Sequence, residues 1–315
     1  MQPLAVADIS DDTSTDFDLY IEVGDSLALY AAAPYKWSKA ECDRLVQQGR
    51  EKLYYGSADG DRVEAYRALT KLPPLPRESD PNIQIVHLTG AASELTRVLF
   101  EHPLSPAALE KGRDIAKALV ETVSSDPKCV QALGLLARHD DYTYFHSARV
   151  AAYALAIALK LSAEDQSHLQ EITLGCLLHD IGKSRIDLAV LNKPDSLTVR
   201  EWDLIRKHPE FGADMIADSA LPFTSSEIIL HHHERMDGTG YPHNLKADEL
   251  LDEVKIAAFA DLFDALTTNR PYQQAMTRFK ALDYIRHNLR KTVFDECFRA
   301  MVVILKDQDP SRFSS

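Results

Sequence analysis

Apolar residues recur at two different spacings along this chain, and the change from one to the other divides it. Leu19-Tyr20-Ile21-Glu22-Val23 and Ser26-Leu27-Ala28-Leu29-Tyr30 flank Gly24-Asp25 and predict a hairpin, followed by a helix near 38–48 and a strand near 52–55. These elements make a small α/β module over residues 17–72. The run Leu72-Pro73-Pro74-Leu75-Pro76 cannot continue a helix and predicts a linker over 73–81. Beyond it apolar positions take helical spacing, first in 83–101 and 106–122 within a helical connector over 82–134, then through a bundle over 135–307. Residues 1–16, rich in Asp, Ser and Thr, read as a frayed, disordered tail, and 308–315 as a second tail. The expected class is therefore mainly α: an all-helical C-terminal bundle preceded by a small α/β module.

Chemistry-bearing residues concentrate in the bundle. Val150, Tyr153, Ala154, Ile157 and Leu161 form an apolar stripe that His146 continues at its N-terminal end, and on its own His146 reads as a satisfied core histidine. His179-Asp180-Ile181-Gly182-Lys183 follows the apolar run 172–178, and Gly182 predicts a helix that ends just after the His-Asp pair. An imidazole beside a carboxylate at a buried helix end costs desolvation energy unless a cation satisfies both, and a metal ion does so directly. His208, His231-His232-His233-Glu234 and Asp261 come next, each with a surface or charged-face alternative of its own. Ala257, Ala258 and Ala265 share the face of Asp261 and argue for its burial.

The 315-residue length suits about two domains, and 45% hydrophobic with 26% charged residues describes an ordinary globular chain. A formal net charge of -13 argues against binding duplex nucleic acid, which rests on Lys and Arg meeting phosphates, but leaves room for a small anionic ligand held by local cations. Cys42, Cys129, Cys176 and Cys297 are far apart, which points to free thiols in a reducing, cytoplasmic setting. No apolar run approaches the roughly 20 residues of a membrane span, and the first residues lack a signal-peptide pattern, so neither a span nor a leader is expected.

Taken together, His146-Ser147, His179-Asp180-Ile181-Gly182-Lys183, His208-Pro209, His232-His233-Glu234-Arg235, Asp237-Gly238-Thr239-Gly240-Tyr241-Pro242, Asp261-Leu262-Phe263-Asp264-Ala265-Leu266 and Arg270-Pro271-Tyr272 resemble the HD-GYP family of cyclic di-GMP phosphodiesterases in order and spacing. The resemblance implies that 135–307 is an HD-GYP helical bundle in which His146, His179, Asp180 and Asp261 bind one metal. It implies that His208, His232 and His233 bind a second, with Asp180 bridging. Seven side chains with one bridging carboxylate fill about eight of roughly twelve octahedral positions, leaving room for a bridging hydroxide and phosphate oxygens. Histidine and carboxylate without thiolate suit two divalent ions, iron first and manganese next, with zinc or nickel as alternatives.

The implied reaction is hydrolysis of cyclic di-GMP to pGpG, and onward to GMP, by a hydroxide held between the metals, with Asp180 and Lys183 in the catalytic set. Lys183 and Arg270 are expected to grip phosphate, Tyr241 to form the substrate wall, and Asp264 to orient a ligand or a guanine edge. Three departures qualify the match: Gln273 stands where the family has a basic residue, Lys255 follows the loop where it has Arg, and Tyr142 occupies the place of a glutamate that enables a third metal. His231 falls at a variable position and is left out of the site. The alternatives are a weakly active receptor or interaction module and a hydrolase of another cyclic nucleotide. The N-terminal module resembles regulatory modules ahead of such domains, with a diguanylate cyclase or motility protein as its expected partner.

Overall fold

Inward positions two apart in Leu4 and Val6, and again in Leu53 and Tyr55, are the mark of half-buried strands, and both pairs are buried in the computed structural model. It describes residues 1–11, 13–72, 74–75, 80–102, 104–133, 142–161, 165–191, 193, 195–269 and 274–306, the side chains at 127, 128, 131, 142 and 143 excepted. The chain forms two compact units, Met1–Pro74 with Arg97–Gly112, and Leu75–Thr96 with Arg113–Ser315.

In the first unit the elements run β1 (Gln2–Ala5), β2 (Ser14–Thr15), β3 (Leu19–Val23), β4 (Ser26–Ala31), β5 (Tyr35–Lys36), α1 (Lys39–Gln47), β6 (Lys52–Tyr55) and α2 (Gly60–Thr70). Four strands make an antiparallel sheet in the order β1-β6-β3-β4, and β2 pairs with β5. The β3–β4 turn is Gly24-Asp25, with Gly24 at φ +61°, a conformation that glycine enters without a Cβ penalty. Leu4, Phe17, Leu19, Trp37, Leu53 and Tyr66 close the core.

The frayed tail expected over 1–16 is not found. Gln2 to Ala5 pair with Tyr55 to Lys52, and Leu4, Val6 and Ile9 are buried. The polar average of that stretch concealed three apolar residues, and strand pairing needs only those. Helix α2 was likewise not foreseen, although it buries Val63, Tyr66 and Leu69.

Further along come α3 (Pro81–Glu101), α4 (Pro106–Ser125), α5 (Tyr142–Lys160), α6 (Gln166–Leu178), α7 (Leu188–Leu191), α8 (Val199–Ile205), α9 (His208–Ile216), α10 (Phe223–His231), α11 (Asp252–Thr267), α12 (Arg278–Tyr284) and α13 (Asp295–Lys306). Of the expected connector over 82–134, residues 97–112 group with the first unit and the remainder with the second. In the second unit α5 packs on α6 and α11, α6 also packs on α10, and α9 lies against a 3-10 turn over Ile181–Arg185. None of the described helices is long and apolar enough to cross a membrane.

Gly182 departs from its expected part. Helix α6 ends at Leu178, before the His-Asp pair, and the chain goes on into the 3-10 turn. Gly182 serves close approach instead: a Cβ there would lie 2.0 Å from the carbonyl oxygen of His208. The absent side chain lets the turn carrying Asp180 rest directly on the start of α9.

Candidate metal centre

Five elements of the second unit bring their polar residues to one buried point. His146 comes from α5, His179 and Asp180 from the end of α6, His208 from the start of α9, His232 and His233 from the end of α10, and Asp261 from α11. His146, His179, Asp180, His208 and His232 are all buried. Two sets form, His146 with His179 and Asp180, and Asp180 with His208, His232 and His233; within each set the ligand-type atoms lie within 4.8 Å of one another.

Asp180 belongs to both sets through different oxygens. Its Oδ2 faces His179 Nε2 at 3.3 Å and His146 Nε2 at 3.8 Å, while Oδ1 faces His208 Nε2 at 3.2 Å and His232 Nε2 at 3.8 Å. Asp261 joins beside His146, with Oδ1 3.0 Å from its Nε2, and lies 3.6 Å from His233 Nδ1.

The orientation of the imidazoles comes from the backbone. His179, His208 and His232 each donate Nδ1–H to the carbonyl of the residue three back, Cys176 at 2.7 Å, Ile205 at 2.7 Å and Ile229 at 3.0 Å. Helical geometry supplies those carbonyls, because the last ones of a helix have no partner within it. Each Nε2 then carries a bare lone pair that points inward. The Nε2 atoms of His208 and His232 meet at 3.2 Å, two lone pairs face to face, and His179 Nε2 and Asp180 Oδ1 are buried with no hydrogen-bond partner. A buried acceptor left unmade is costly, and a cation between these atoms removes the cost for all of them at once. The donor set therefore fits divalent metal.

Protonation follows the same direction. Burial drives His232 well below the usual imidazole range and takes His233 down to about 3 against the pull of Asp261. Burial also lowers His208, which Asp180 only partly offsets. Burial raises Asp180, yet His179 and Lys183 hold it well below the carboxylate range; His146 does the same for Asp261. Neutral imidazoles and charged carboxylates are the forms that ligate metal.

Of the residues expected to meet substrate, Lys183 reaches the cluster, its Nζ 2.6 Å from Asp180 Oδ2. Tyr241 lies against it, with its ring 4.7 Å from that of His233 and 6.5 Å from that of His208. Burial, then Asp261 and Asp180, push its phenol upward, so the ring presents a neutral wall. Asp264 requires a correction: it is completely buried, and its Oδ2 receives His146 Nδ1–H at 2.7 Å. It orients His146 and, completely buried, is closed off from a guanine edge. Arg270 and Gln273 lie outside the described residues, as does the Tyr142 side chain. His231 stands apart from both sets, paired with His243 at 3.0 Å and Glu227 at 3.3 Å.

Two contributors went unnoticed in the sequence. Arg149, only 2% exposed, grips Asp264 through Nε at 2.6 Å and Nη2 at 3.0 Å. Its place one helical turn after His146 was the available signal. Glu234 pins the loop after α10 by accepting the backbone N–H of His243 at 2.6 Å and of Leu245 at 3.1 Å. Gly240 packs there with space for no side chain, since a Cβ would lie 2.4 Å from Glu234 Cα.

The profile of the HD domain matches residues 132–297, over half of the chain. The chain belongs to the HD-domain family. Among its relatives, a cyclic di-GMP phosphodiesterase of Pseudomonas aeruginosa, PA4108, is 38% identical over 173 residues, covering 54% of this chain and 41% of that protein. A 3'3'-cGAMP-specific phosphodiesterase 3 of Vibrio cholerae is 39% identical over 161 residues, covering 51% and 35%. The cyclic di-GMP phosphodiesterase response regulator RpfG of Xanthomonas campestris is 35% identical over 179 residues, covering 55% and 47%. This HD-domain chain thus spans less than half the length of each of these curated relatives. Its fold is similar to that of Bd1817, an HDG"Y"P protein from Bdellovibrio bacteriovorus, at a TM-score of 0.63 and 22% identity, covering 96% of this chain and 99% of that one. The HD-GYP resemblance read from the motifs holds.

Proposed function

We propose that the protein is a metal-dependent phosphodiesterase that hydrolyses cyclic di-GMP to pGpG, and onward to GMP. The observation that carries this reading is the inward convergence of His179, His208 and His232, whose Nε2 lone pairs meet around Asp180 with no proton to share. His146, His179, Asp180 and Asp261 would hold one divalent ion and Asp180, His208, His232 and His233 another, iron first and manganese next. Bound there, the ions supply charge neutralisation and an activated water for in-line displacement at phosphorus. Asp180 keeps the two sites in register. Lys183, beside Asp180, offers a cation to a phosphoryl oxygen, and Tyr241 excludes water along one wall.

Incubation of the metal-loaded chain with cyclic di-GMP, 3'3'-cGAMP and other cyclic dinucleotides, followed by chromatography, tests the reading. Linear pGpG as the main product is expected. Binding without product would leave a receptor, and turnover of 3'3'-cGAMP alone would reassign the substrate. Elemental analysis of anaerobically purified protein is expected to give two ions per chain; three would overturn that count.

Four cysteines without a disulfide, three of them buried, support a reducing, cytoplasmic setting. The exposed Val23, Leu27 and Leu29 on β3 and β4 support a docking role for the N-terminal module, with a diguanylate cyclase or motility protein as partner. Leu29→Lys leaves the module's core intact and is expected to abolish co-elution with such a partner; unchanged co-elution sinks the idea.

A further inference from the structure

An acidic chain that takes an anionic ligand needs cations at the site, and those already bound to carboxylates count least. Lys183 is paired with Asp180 at 2.6 Å. Arg206 differs. It is exposed, and it forms no ion pair with a carboxylate among the described residues. Its Cζ sits 4.9 Å above the centre of the Tyr241 ring, which in turn lies 4.7 Å from the His233 ring. The guanidinium is therefore no further from His233 than those two contacts laid end to end.

The backbone beneath Arg206 is held firmly. Helix α8 starts in a capping box, with the Thr198 hydroxyl receiving Glu201 N–H while the Glu201 carboxylate accepts Thr198 N–H, and Lys193 ties down the same carboxylate at 2.8 Å. Arg206 ends that helix, its N–H bonded to Trp202 O at 2.9 Å. Its neighbour Ile205 is the residue whose carbonyl orients His208. The helix that starts in this capping box thus ends on an exposed guanidinium, and the ligand-type His208 follows two residues later.

A guanidinium is a planar fork of donors matched to two phosphate oxygens. A cyclic dinucleotide carries two phosphates and presents one at a time to a hydrolytic centre, so the other must sit at its rim with its charge intact. We propose that Arg206 forms an outer anion subsite beside Tyr241, binding the non-scissile phosphate of the cyclic dinucleotide. The inference rests on the cyclic-dinucleotide reading above and adds the residue that separates a two-phosphate substrate from a simple diester.

The test uses the full chain and its variants Arg206→Gln and Arg206→Lys. Binding of cyclic di-GMP to metal-free protein is measured by calorimetry, and turnover of cyclic di-GMP and of bis(p-nitrophenyl) phosphate is measured on metal-loaded protein. Arg206→Gln is expected to weaken binding and raise KM for the dinucleotide about tenfold, with kcat changed far less, and the loss on the single-phosphate diester should be clearly smaller. Arg206→Lys should recover part of the loss, since it keeps the charge and not the fork. Equal losses on the two substrates, or reduced metal content in Arg206→Gln, assign Arg206 to bracing Tyr241 and overturn the subsite. Wild-type binding without turnover would end the phosphodiesterase reading, while weaker binding by Arg206→Gln would still uphold the subsite. Unchanged binding and KM in that variant would end the subsite and leave the phosphodiesterase reading standing; a wild type that neither binds nor cuts ends both.

Discussion

The His146–Asp264–Arg149 chain decides how one imidazole meets the cluster. Asp264 holds Nδ1–H of His146, and Arg149 holds both oxygens of Asp264 in a buried setting. Asp264→Asn keeps the volume and removes the charge that makes His146 a stronger donor, and losses of such partners run to about 10- to 100-fold in metal affinity or activity. The expected outcome is a drop of that order in kcat, with reduced metal occupancy at limiting metal. Asp264→Ala goes further and takes the bidentate carboxylate partner away from the buried Arg149 charge, so urea unfolding should show a loss of about 3–5 kcal/mol. A neutral Asp264→Ala would mean that Arg149 finds other partners. His179-Asp180 was legible in the sequence because an imidazole and a carboxylate at a buried helix end are costly without a cation, and the rest of the set was legible through the motif order shared with the HD-GYP family. Arg149 was not, since one arginine on a helix has no mark of burial, and the guanine contact assigned to Asp264 failed because facing direction depends on the packing of α5 on α11.

The boundary that the Gly24-Asp25 turn sets was read well, those that packing sets less well, and the expected linker over 73–81 lies mostly outside the described residues. The β3–β4 hairpin follows from Gly24-Asp25 and alternating apolar residues, and it stands as expected. The tail over 1–16 and the end of α6 did not, because both depend on partners distant in sequence: β6 for the first strand, and α9 for the turn after Leu178. That turn can be tested directly. In Gly182→Ala the new methyl would meet backbone on two sides, His208 O at 2.0 Å and Gly212 N at 2.4 Å, with no flexible side chain to yield. The turn and α9 must part, taking Asp180 away from His208. Gly182→Ala should therefore cost over 2 kcal/mol, roughly as overpacking of a rigid core does, and should abolish metal retention in gel-filtered protein. A variant that keeps both metals and melts like the wild type would show that the close approach is dispensable.

At the scale of the whole molecule, the cluster is built for a bound cation, and its absence should appear in stability. His208 and His232, both lowered by burial, and His233, taken down to about 3, favour the neutral form in the folded chain, whereas in the unfolded chain all three titrate near 6.5. Between those values the unfolded state binds more protons, so the metal-free fold loses stability as pH falls from about 6.5 toward 3. Asp180 and Asp261, held below the carboxylate range, push the same way below about 4, while His146, which Asp261 and Asp264 raise despite burial, opposes the loss on the way down. Three imidazoles of the cluster against one leave a net decline. Urea midpoints of metal-free protein should thus be lower at pH 5 than at pH 7.5, and a higher midpoint at pH 5 would show that His146 dominates. Metal binds only the folded cluster and should raise stability by about 2.7 kcal/mol at a hundred times its Kd. Protons compete for the same Nε2 atoms, so the increment should shrink on acidification. An increment unchanged between pH 7.5 and pH 5 would place the ion on groups other than these histidines.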